Sequence, residues 1–269
     1  MILAIDRLSF SYDQTSLLSE LSFTVSPGEV VCLLGPNGSG KSTLLDCVLG
    51  FHRNYQGAIK LCGREARGLS RLESAKCVSY VPQLHAPTFP YTVREVVLMG
   101  RTAQAGLFGA PKEKDFAICD DALRRIGIAA FADRPYTELS DGERKMVLLA
   151  RALAQQAPLI ALDEPTSSLD FKNELQFLET LSDLAAENGV AVLMATHALS
   201  HPLYFESQGL PVKVVLLCKN RPARIGTPTA LITPQTLLEV YGVHAAVQEI
   251  KTEDGKTVKS VAVLGSMEE

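Results

Sequence analysis

The sequence predicts an α/β fold in which a parallel core follows short antiparallel strands and is interrupted by a block of helices. Three stretches carry that expectation. The apolar run Val30-Val31-Cys32-Leu33-Leu34 leads through a glycine-rich loop into the helix-prone Leu44-Leu45-Asp46-Cys47-Val48-Leu49. Leu159-Ile160-Ala161-Leu162 is apolar without alternation, as a strand covered on both faces must be, and it ends in Asp163-Glu164-Pro165. Between residues 84 and 157 the apolar period becomes helical.

Taken in order, residues 1–34 alternate apolar and polar side chains in short runs, Leu3-Ala4-Ile5, Leu8 to Tyr12 and Leu21 to Val25. The turn formers Ser26-Pro27-Gly28-Glu29 follow, so hairpins are expected here. Gly57 to Leu61 and Cys77 to Val81 read as strands, the second closed by Pro82-Gln83. Tyr91 to Gly100 places Val93, Val96, Val97 and Met99 on a helical stripe, and Glu113 to Ile126 does the same with Ala117, Ile118, Ala122, Leu123 and Ile126. Gly142 to Gln156 is a third helix, with cap chemistry supplied by Leu139-Ser140-Asp141. Helix 171–187, a strand from Val190 to Ala195, strands near Val212 to Cys218 and Ala223 to Ile225, and a helix from Pro234 to Tyr241 complete the pattern. A last hairpin is expected to pair about 246–250 with 258–264 around Asp254-Gly255.

Bulk properties narrow the function classes. With 269 residues, 46% hydrophobic and 21% charged, the chain can bury a large core. A net charge of −4 offers no basic field for nucleic acid. No apolar run approaches the roughly 18 residues that span a bilayer. Met1 to Leu8 carries Asp6 and Arg7 and does not read as a secretory leader. The six cysteines form no Cys-x-x-Cys pair and are expected to be reduced, as in the cytosol.

The loop itself is Gly35-Pro36-Asn37-Gly38-Ser39-Gly40-Lys41-Ser42-Thr43, in the strand–loop–helix context that a phosphate-binding loop requires. Its glycines let the backbone wrap a phosphate chain while successive N–H groups and a helix start point at the anion. Lys41 is expected to reach the β- and γ-phosphates and Ser42 to ligate Mg²⁺. Two carboxylates, Asp163 and Glu164, end a buried strand, which is where open α/β sheets place their ligands.

The ordered set of phosphate loop, Gln83, Leu139-Ser140-Asp141-Gly142-Glu143, Leu162-Asp163-Glu164-Pro165, Ser168-Leu169-Asp170 and His197 resembles the ATP-binding subunit of an ABC transporter over residues 8 to about 200. The resemblance implies a P-loop NTPase core of the ABC ATPase type, an N-terminal antiparallel β-subdomain and an inserted helical subdomain. It implies one ATPase domain over 1–225, with the helical subdomain at about 84–157, and a C-terminal helix and β-hairpin extension over 226–269. Residue by residue, Tyr12 would stack on adenine. Gln83 would bridge Mg²⁺, the attacking water and a membrane partner. Asp163 would hold the Mg²⁺ shell with Ser42, and Glu164 would polarise the water. His197 would bond the γ-phosphate. Lys41, Gln83, Glu164 and His197 form the expected catalytic set. Asp170 would touch a second copy, and Leu139 to Glu143 would bind ATP held by that copy in a head-to-tail dimer.

That signature departs from the usual Leu-Ser-Gly-Gly-Gln at Asp141 and Glu143. Two carboxylates near a triphosphate repel it unless they face away or pair with cations; Arg144 and Lys145 are adjacent, and Asp141 could serve as a cap. Tyr91 to Arg101 and Leu238 to Val243 are similar to the importers of metal chelates, which take up iron-siderophores, haem, cobalamin and in some members molybdate or tungstate. This implies ATP and Mg²⁺ as cofactors, membrane permease subunits and an extracytoplasmic solute-binding protein as partners, and a place on the cytoplasmic face of the cell membrane. Phe89 to Met99 would line the groove that meets the permease.

An alternative is a non-transport ATPase of the same superfamily acting on nucleic acid or ribosomes, but neither a long coiled coil nor a second module joined by a basic linker is present. A small-molecule kinase would leave Leu139 to Glu143 unexplained, and an ATP-binding scaffold would not hydrolyse. His197 and His201 have a spacing that suggests zinc. Pro202 and the lack of a nearby Glu argue against it, leaving His201 as a structural or surface residue.

Overall fold

The computed structural model describes residues 1–12, 15–83, 89–105, 110–219, 221–251 and 257–266. Strands β1 (Leu3–Tyr12) and β2 (Thr15–Val25) pair antiparallel, Leu3 opposite Val25. Strict alternation would turn Leu8 outward after Ile5, because the step between them is odd. Arg7, with φ of 45°, sits in the register shift between these two residues and restores the inward face. Glu20, with φ of 46°, stands between the buried Leu18 and Leu21 of β2 in the same way.

The buried strand β3 (Val30–Leu34) then leads into α1 (Lys41–Leu49). After it, β4 (Gln56–Leu61) and β5 (Arg64–Glu65) return to the first sheet, giving the order β2-β1-β4-β5. Helix α2 (Arg71–Ala75) starts from a Ser70/Glu73 capping box and precedes β6 (Val78–Val81). Helices α3 (Val93–Leu98), α4 (Thr102–Ala105), α5 (Glu113–Arg125) and α6 (Asp141–Ala154) come before β7 (Leu159–Asp163), which lies beside β6 in parallel. The helical block is therefore a crossover between neighbouring parallel strands.

The rest of the chain runs α7 (Phe171–Asn188), β8 (Ala191–Ala195), α8 (Ser200–Ser207), β9 (Val212–Cys218), β10 (Arg221–Gly226), α9 (Pro228–Leu231), α10 (Pro234–Tyr241), β11 (Val243–Lys251) and β12 (Thr257–Ser266). The second sheet has the order β10-β9-β3-β8-β7-β6, parallel except for β10. Strand β8 fits between β3 and β7, so the phosphate loop and the Asp163-Glu164 pair leave the same edge two strands apart.

Alternate residues of β3 divide the core. Val30, Cys32 and Leu34 face a cluster shared with α5 to α8, including Leu123, Met146, Phe177 and Phe205. Val31 and Leu33 face the other, which contains Leu44, Leu45 and Val48 of α1 and Leu3 and Leu8 of β1. A strand with both faces packed needs no polar alternation, which explains its uniform sequence.

The helical stripes need correction. Val93, Val96 and Val97 are buried, but Met99 is exposed. On α5 the buried face is Asp115, Cys119, Ala122 and Leu123, continued by Ile126, whereas Ala117 is exposed and Ile118 half-buried. The stripe was misplaced because its first member is a carboxylate. Asp115 is tolerated there because Arg101 Nε donates to it at 3.0 Å and the Lys112 amide at 2.9 Å, while Arg101 Nη1 donates to the Ala154 carbonyl at 2.8 Å. The final hairpin is longer than expected, with Val247 opposite Val261 and Ile250 opposite Val258; its Asp254-Gly255 turn lies outside the described residues.

Candidate nucleotide site

The loop after β3 owes its path to glycine. Gly35 has φ of 145°, and an added Cβ would lie 2.4 Å from the Leu217 carbonyl oxygen and 2.6 Å from Ser39 Oγ. Gly40, with φ of 99°, is the left-handed residue from which α1 starts. Beneath it lie Leu17 and Leu18, which a side chain would strike. The loop thus ends in the open backbone N–H groups of a helix start, with no side-chain cap across them.

Lys41 folds back across this loop. Its Nζ donates to the carbonyl oxygens of Gly35 at 2.8 Å and Pro36 at 3.5 Å. Burial lowers its pKa, and the charges of Glu164 and Asp163 oppose that shift. Ser42, one residue on, donates to Asp163 Oδ1 at 3.2 Å, joining α1 to β7. Burial raises the Asp163 pKa, the Ser42 hydrogen bond and Lys41 pull it down, and Glu164 and Asp46 add to the rise. Tyr80 beside it is pushed up to about 12, by burial first and then by the charges of Asp163 and Asp46.

Glu164 leaves β7 in a left-handed conformation, φ 45°, unusual for a residue with a Cβ. Its amide donates to the Ala195 carbonyl at 3.0 Å, and its own carbonyl accepts from Ser167 Oγ at 3.0 Å. This turns the carboxylate toward β8, where Oε2 meets His197 Nδ1 at 2.6 Å. His197 follows Thr196, whose hydroxyl is 2.8 Å from Nδ1 of the buried His201. The other ring nitrogen of His201 meets Glu174 Oε1 at 2.6 Å. His201 is therefore structural and buried, not at the surface, and burial lowers its pKa against the pull of Glu174. His197 does not cap α8, which starts from Leu199 without a side-chain cap.

These residues enclose a cleft of about 730 Å³ lined by Tyr12, Gly38, Lys41, Gln83, Glu164 and His197, among others. Asn37, Ser39, Gly40, Ser42 and Thr43 also line it, and Asp163 stands behind Ser42. Gly35 and Pro36 support the loop from below through Lys41. Gln83 is exposed, and its carbonyl is gripped by Lys145 Nζ, which also donates to the Pro82 carbonyl at 3.0 Å. Lys145 is thus committed to the chain before the helices and does not neutralise the signature.

Other expected site residues stand apart from the cleft. Leu139 is buried, while Ser140 caps α6 in a capping box with Glu143: the Ser140 hydroxyl donates to Glu143 Oε2 at 2.9 Å, and the Glu143 amide donates back at 3.3 Å. Asp141 is not the cap. It lies in the first turn and accepts from Arg144 at 3.1 Å, while Glu143 pairs with Arg134 at 3.5 Å. Both carboxylates are therefore matched with cations. Gly142 sits against Asn173 and Leu169, and Asp170 caps α7 by accepting from the Asn173 amide at 2.8 Å. The sequence did not single out Leu17 and Ser167, which also line the cleft, because neither belongs to a chemical pattern.

The arrangement suits a magnesium nucleotide. Ser39 Oγ is buried with no hydrogen-bond partner among the described residues, which leaves a donor beside the glycine backbone. Ser42 and Asp163 are hard oxygen donors, fitting for Mg²⁺. Among the described residues no three His, Cys, Asp or Glu side chains gather into a metal cluster. Mg²⁺ is commonly held by few protein oxygens together with substrate phosphates and water, so the absence of a larger cluster among the described residues does not count against it.

The sequence profile of the ABC transporter family, "ABC transporter", matches residues 18–167. An ABC transporter ATP-binding protein of Haemophilus influenzae (strain KW20 / Rd), itself uncharacterised, is 37% identical over 90% of the chain and 89% of its own length. The chain belongs to the ABC transporter ATP-binding family. This ABC ATPase is also similar to the iron(3+)-hydroxamate import ATP-binding protein FhuC of Bacillus subtilis (strain 168), with 34% identity over 97% of the chain and 94% of the relative. A solved structure assigned to a metal-chelate type ABC transporter, in an inward-facing conformation, superposes on the ABC ATPase with a TM-score of 0.85 and 31% identity, covering 98% of this chain and 97% of the other. Membership carries ATP binding and ATP hydrolysis with it, and the α/β architecture with its antiparallel N-terminal sheet is that of the family.

Proposed function

We propose that this ABC ATPase powers a membrane importer for a metal chelate or metal oxyanion, with residues 1–225 forming the ATPase unit, the helices of about 84–157 inserted in it, and 226–269 an extension. The observation that carries the chemistry is the Glu164–His197 contact at 2.6 Å, above a cleft floored by Gly38, Gly40 and Lys41. Lys41 and the loop N–H groups bind the phosphates, and Tyr12 meets the base. Glu164 accepts a proton from the attacking water as the water bonds to the γ-phosphorus, the bond from that phosphorus to the β,γ-bridging oxygen breaks, and ADP leaves carrying the electron pair. With both ring nitrogens protonated, His197 donates from Nδ1 to Glu164 and from Nε2 to a γ-phosphate oxygen. Ser42, Gln83 and Asp163 would hold Mg²⁺, which would supply neutralisation of the β- and γ-phosphate charge.

Ser140 and Asp141, at the start of α6, are exposed, and Ser140 does not line this chain's own cleft. A second copy arranged head to tail brings the start of α6 onto its partner's γ-phosphate, with Asp170 at the seam. The partners of such a dimer are permease subunits, with an extracytoplasmic solute-binding protein in the complex, and the chain sits on the cytoplasmic face of the membrane. No helix among the described residues is long and apolar enough to cross a membrane, which is consistent with pore-forming partners. Exposed Phe89, Tyr91 and Met99 lie where the permease is expected, and Met99 also lines a cleft of about 560 Å³ with Phe51, Arg53 and Arg151.

The test is co-purification with the membrane subunits the protein captures, reconstituted into vesicles, with ATP-driven uptake of candidate chelates and oxyanions measured for the parent and the Glu164→Gln protein. Uptake by the parent alone supports the proposal. ATP hydrolysis that is indifferent to permease and binding protein overturns the importer role.

A further inference from the structure

Tyr12 ends β1 at the rim of the cleft, half exposed at 49%. A tyrosine at a strand end is free to leave its position unless something holds it. Here its hydroxyl oxygen lies 2.8 Å from Nε2 of His52, forty residues along the chain. The two rings meet at 84° with centroids 5.6 Å apart, and the buried Phe10 meets the Tyr12 ring edge-on at 4.9 Å and 83°. The His52 ring is tilted over Phe10 at 5.1 Å and 31°. Three rings thus support one another, and the buried Phe10 anchors them.

His52 is itself fixed to α1. Its amide donates to the Asp46 carbonyl at 3.2 Å, and its Nε2 lies 3.8 Å from Asp46 Oδ2. The tether does not depend on one protonation state. Neutral His52 with its proton on Nδ1 accepts from the Tyr12 hydroxyl, whereas the imidazolium donates to the phenol oxygen and pairs with Asp46. The helix that begins with Lys41 and Ser42 therefore also carries the foundation of the aromatic rim, so the phosphate end and the rim of the cleft share one rigid element.

We propose that His52 is a positioning residue for nucleotide: through its hydrogen bond and ring contact it holds Tyr12 upright so that the ring is already placed to stack on the base. This rests on the reading of Tyr12 as the base-stacking residue. A loosened Tyr12 must be ordered when ATP binds, and immobilising one such side chain is worth about a two- to tenfold change in affinity. The loss falls on the base and spares the phosphates.

The experiment measures Kd by calorimetry on the full-length protein with Mg²⁺, for ATP and for inorganic tripolyphosphate, which lacks a base. Expected for His52→Ala is a two- to tenfold weaker ATP Kd with tripolyphosphate unchanged, and a raised KM with kcat held. Tyr12→Phe, which keeps the ring and loses the hydroxyl, should weaken ATP similarly; adding His52→Ala to it should cost less than the product of the two single effects. His52→Gln, which can still bond the phenol, should recover much of the affinity. If Tyr12→Ala weakens ATP while His52→Ala changes nothing, His52 has no positioning role and the stacking role stands. If Tyr12→Ala leaves ATP binding intact, the stacking role falls and this proposal falls with it. Equal weakening of ATP and tripolyphosphate by His52→Ala also overturns the proposal, because the histidine then acts through the phosphate loop.

Discussion

Glu164 Oε2 stands 2.6 Å from His197 Nδ1, joining the residue after β7 to a residue just beyond β8. The glutamate is mostly sheltered and the histidine largely exposed, with 13% and 64% of their side chains accessible. The carboxylate is thus fixed while the ring reaches outward. A non-glycine residue is kept in the left-handed region at this point, which only a well-determined surrounding can sustain.

On the proposed mechanism, replacing Glu164 by Gln removes the proton acceptor and keeps the shape. ATP hydrolysis should fall about 100-fold or more, the range lost with a general base. ATP should still bind, and size-exclusion with light scattering should find an ATP-dependent dimer that the parent forms only transiently. Phosphate release at the parental rate would reject Glu164 as the base.

On the same proposal, His197→Ala removes a donor to the γ-phosphate while leaving the loop untouched. By analogy with other donors to transition-state charge, kcat should drop about 100- to 1,000-fold. The Kd for ATP should change little. A large loss of ATP affinity with kcat preserved would assign His197 to binding instead.

Asp163 has its pKa raised, chiefly by burial. It therefore takes up a proton at a higher pH than an ordinary aspartate, and on the proposed reading of Asp163 as a Mg²⁺ residue that proton competes with the ion. The Mg²⁺ concentration needed for half-maximal hydrolysis should climb as pH falls, starting from a higher pH than an ordinary aspartate would give. The linkage to stability has a definite sign: a raised folded pKa means stability is lost as pH rises from the ordinary aspartate value through the folded one. Without Mg²⁺, Asp163→Asn should accordingly melt higher than the parent at neutral pH, which calorimetry would read directly.

The α6 cap gives a test of the opposite sign. The Ser140 amide, then its hydroxyl and Arg134, hold the Glu143 carboxyl below the usual glutamate range against the effect of burial. A lowered folded pKa adds stability above the ordinary glutamate value, lost as pH falls through the folded one. Glu143→Gln should flatten the acid limb of a plot of melting temperature against pH. Ser140→Ala should destabilise the neutral protein by about 1 kcal/mol, typical of a lost cap, in urea titrations. An unchanged midpoint would show that α6 is held by its packing alone.

Much of the architecture was legible because its signals are local. The run Val30 to Leu34, the glycines after it and the carboxylates after Leu162 each lie within a few residues of their partners, and β3, α1 and β7 fall where expected. The α8 helix was missed because its apolar residues cluster without one clear face and Pro202 sits in its first turn. The Ser70/Glu73 box of α2 could have been read, since Ser-x-x-Glu is a start signal, but five residues leave no period to confirm it. The bulges at Arg7 and Glu20 leave no mark in composition; they show only when Leu8 and Leu21 are found facing inward.

In the site, the same division holds. The glycine-rich loop is contiguous, so its spacing can be read directly from the sequence. The supports are not: Glu174 with His201, Lys145 with Pro82 and His52 with Tyr12 are brought together only by the packing of distant elements. Cap geometry decided between Ser140 and Asp141, because the hydroxyl reaches the third helical amide while Asp141 is already inside the first turn.

Lys41 already has company, its ammonium held by the Gly35 and Pro36 carbonyls. An arriving triphosphate does not meet a bare cation; it must displace neutral acceptors that take the lysine back when the anion departs. Grip is therefore a difference between two satisfied arrangements, and this limits how tightly spent nucleotide can be retained. A motor that has to let go after every stroke gains from such a built-in rival.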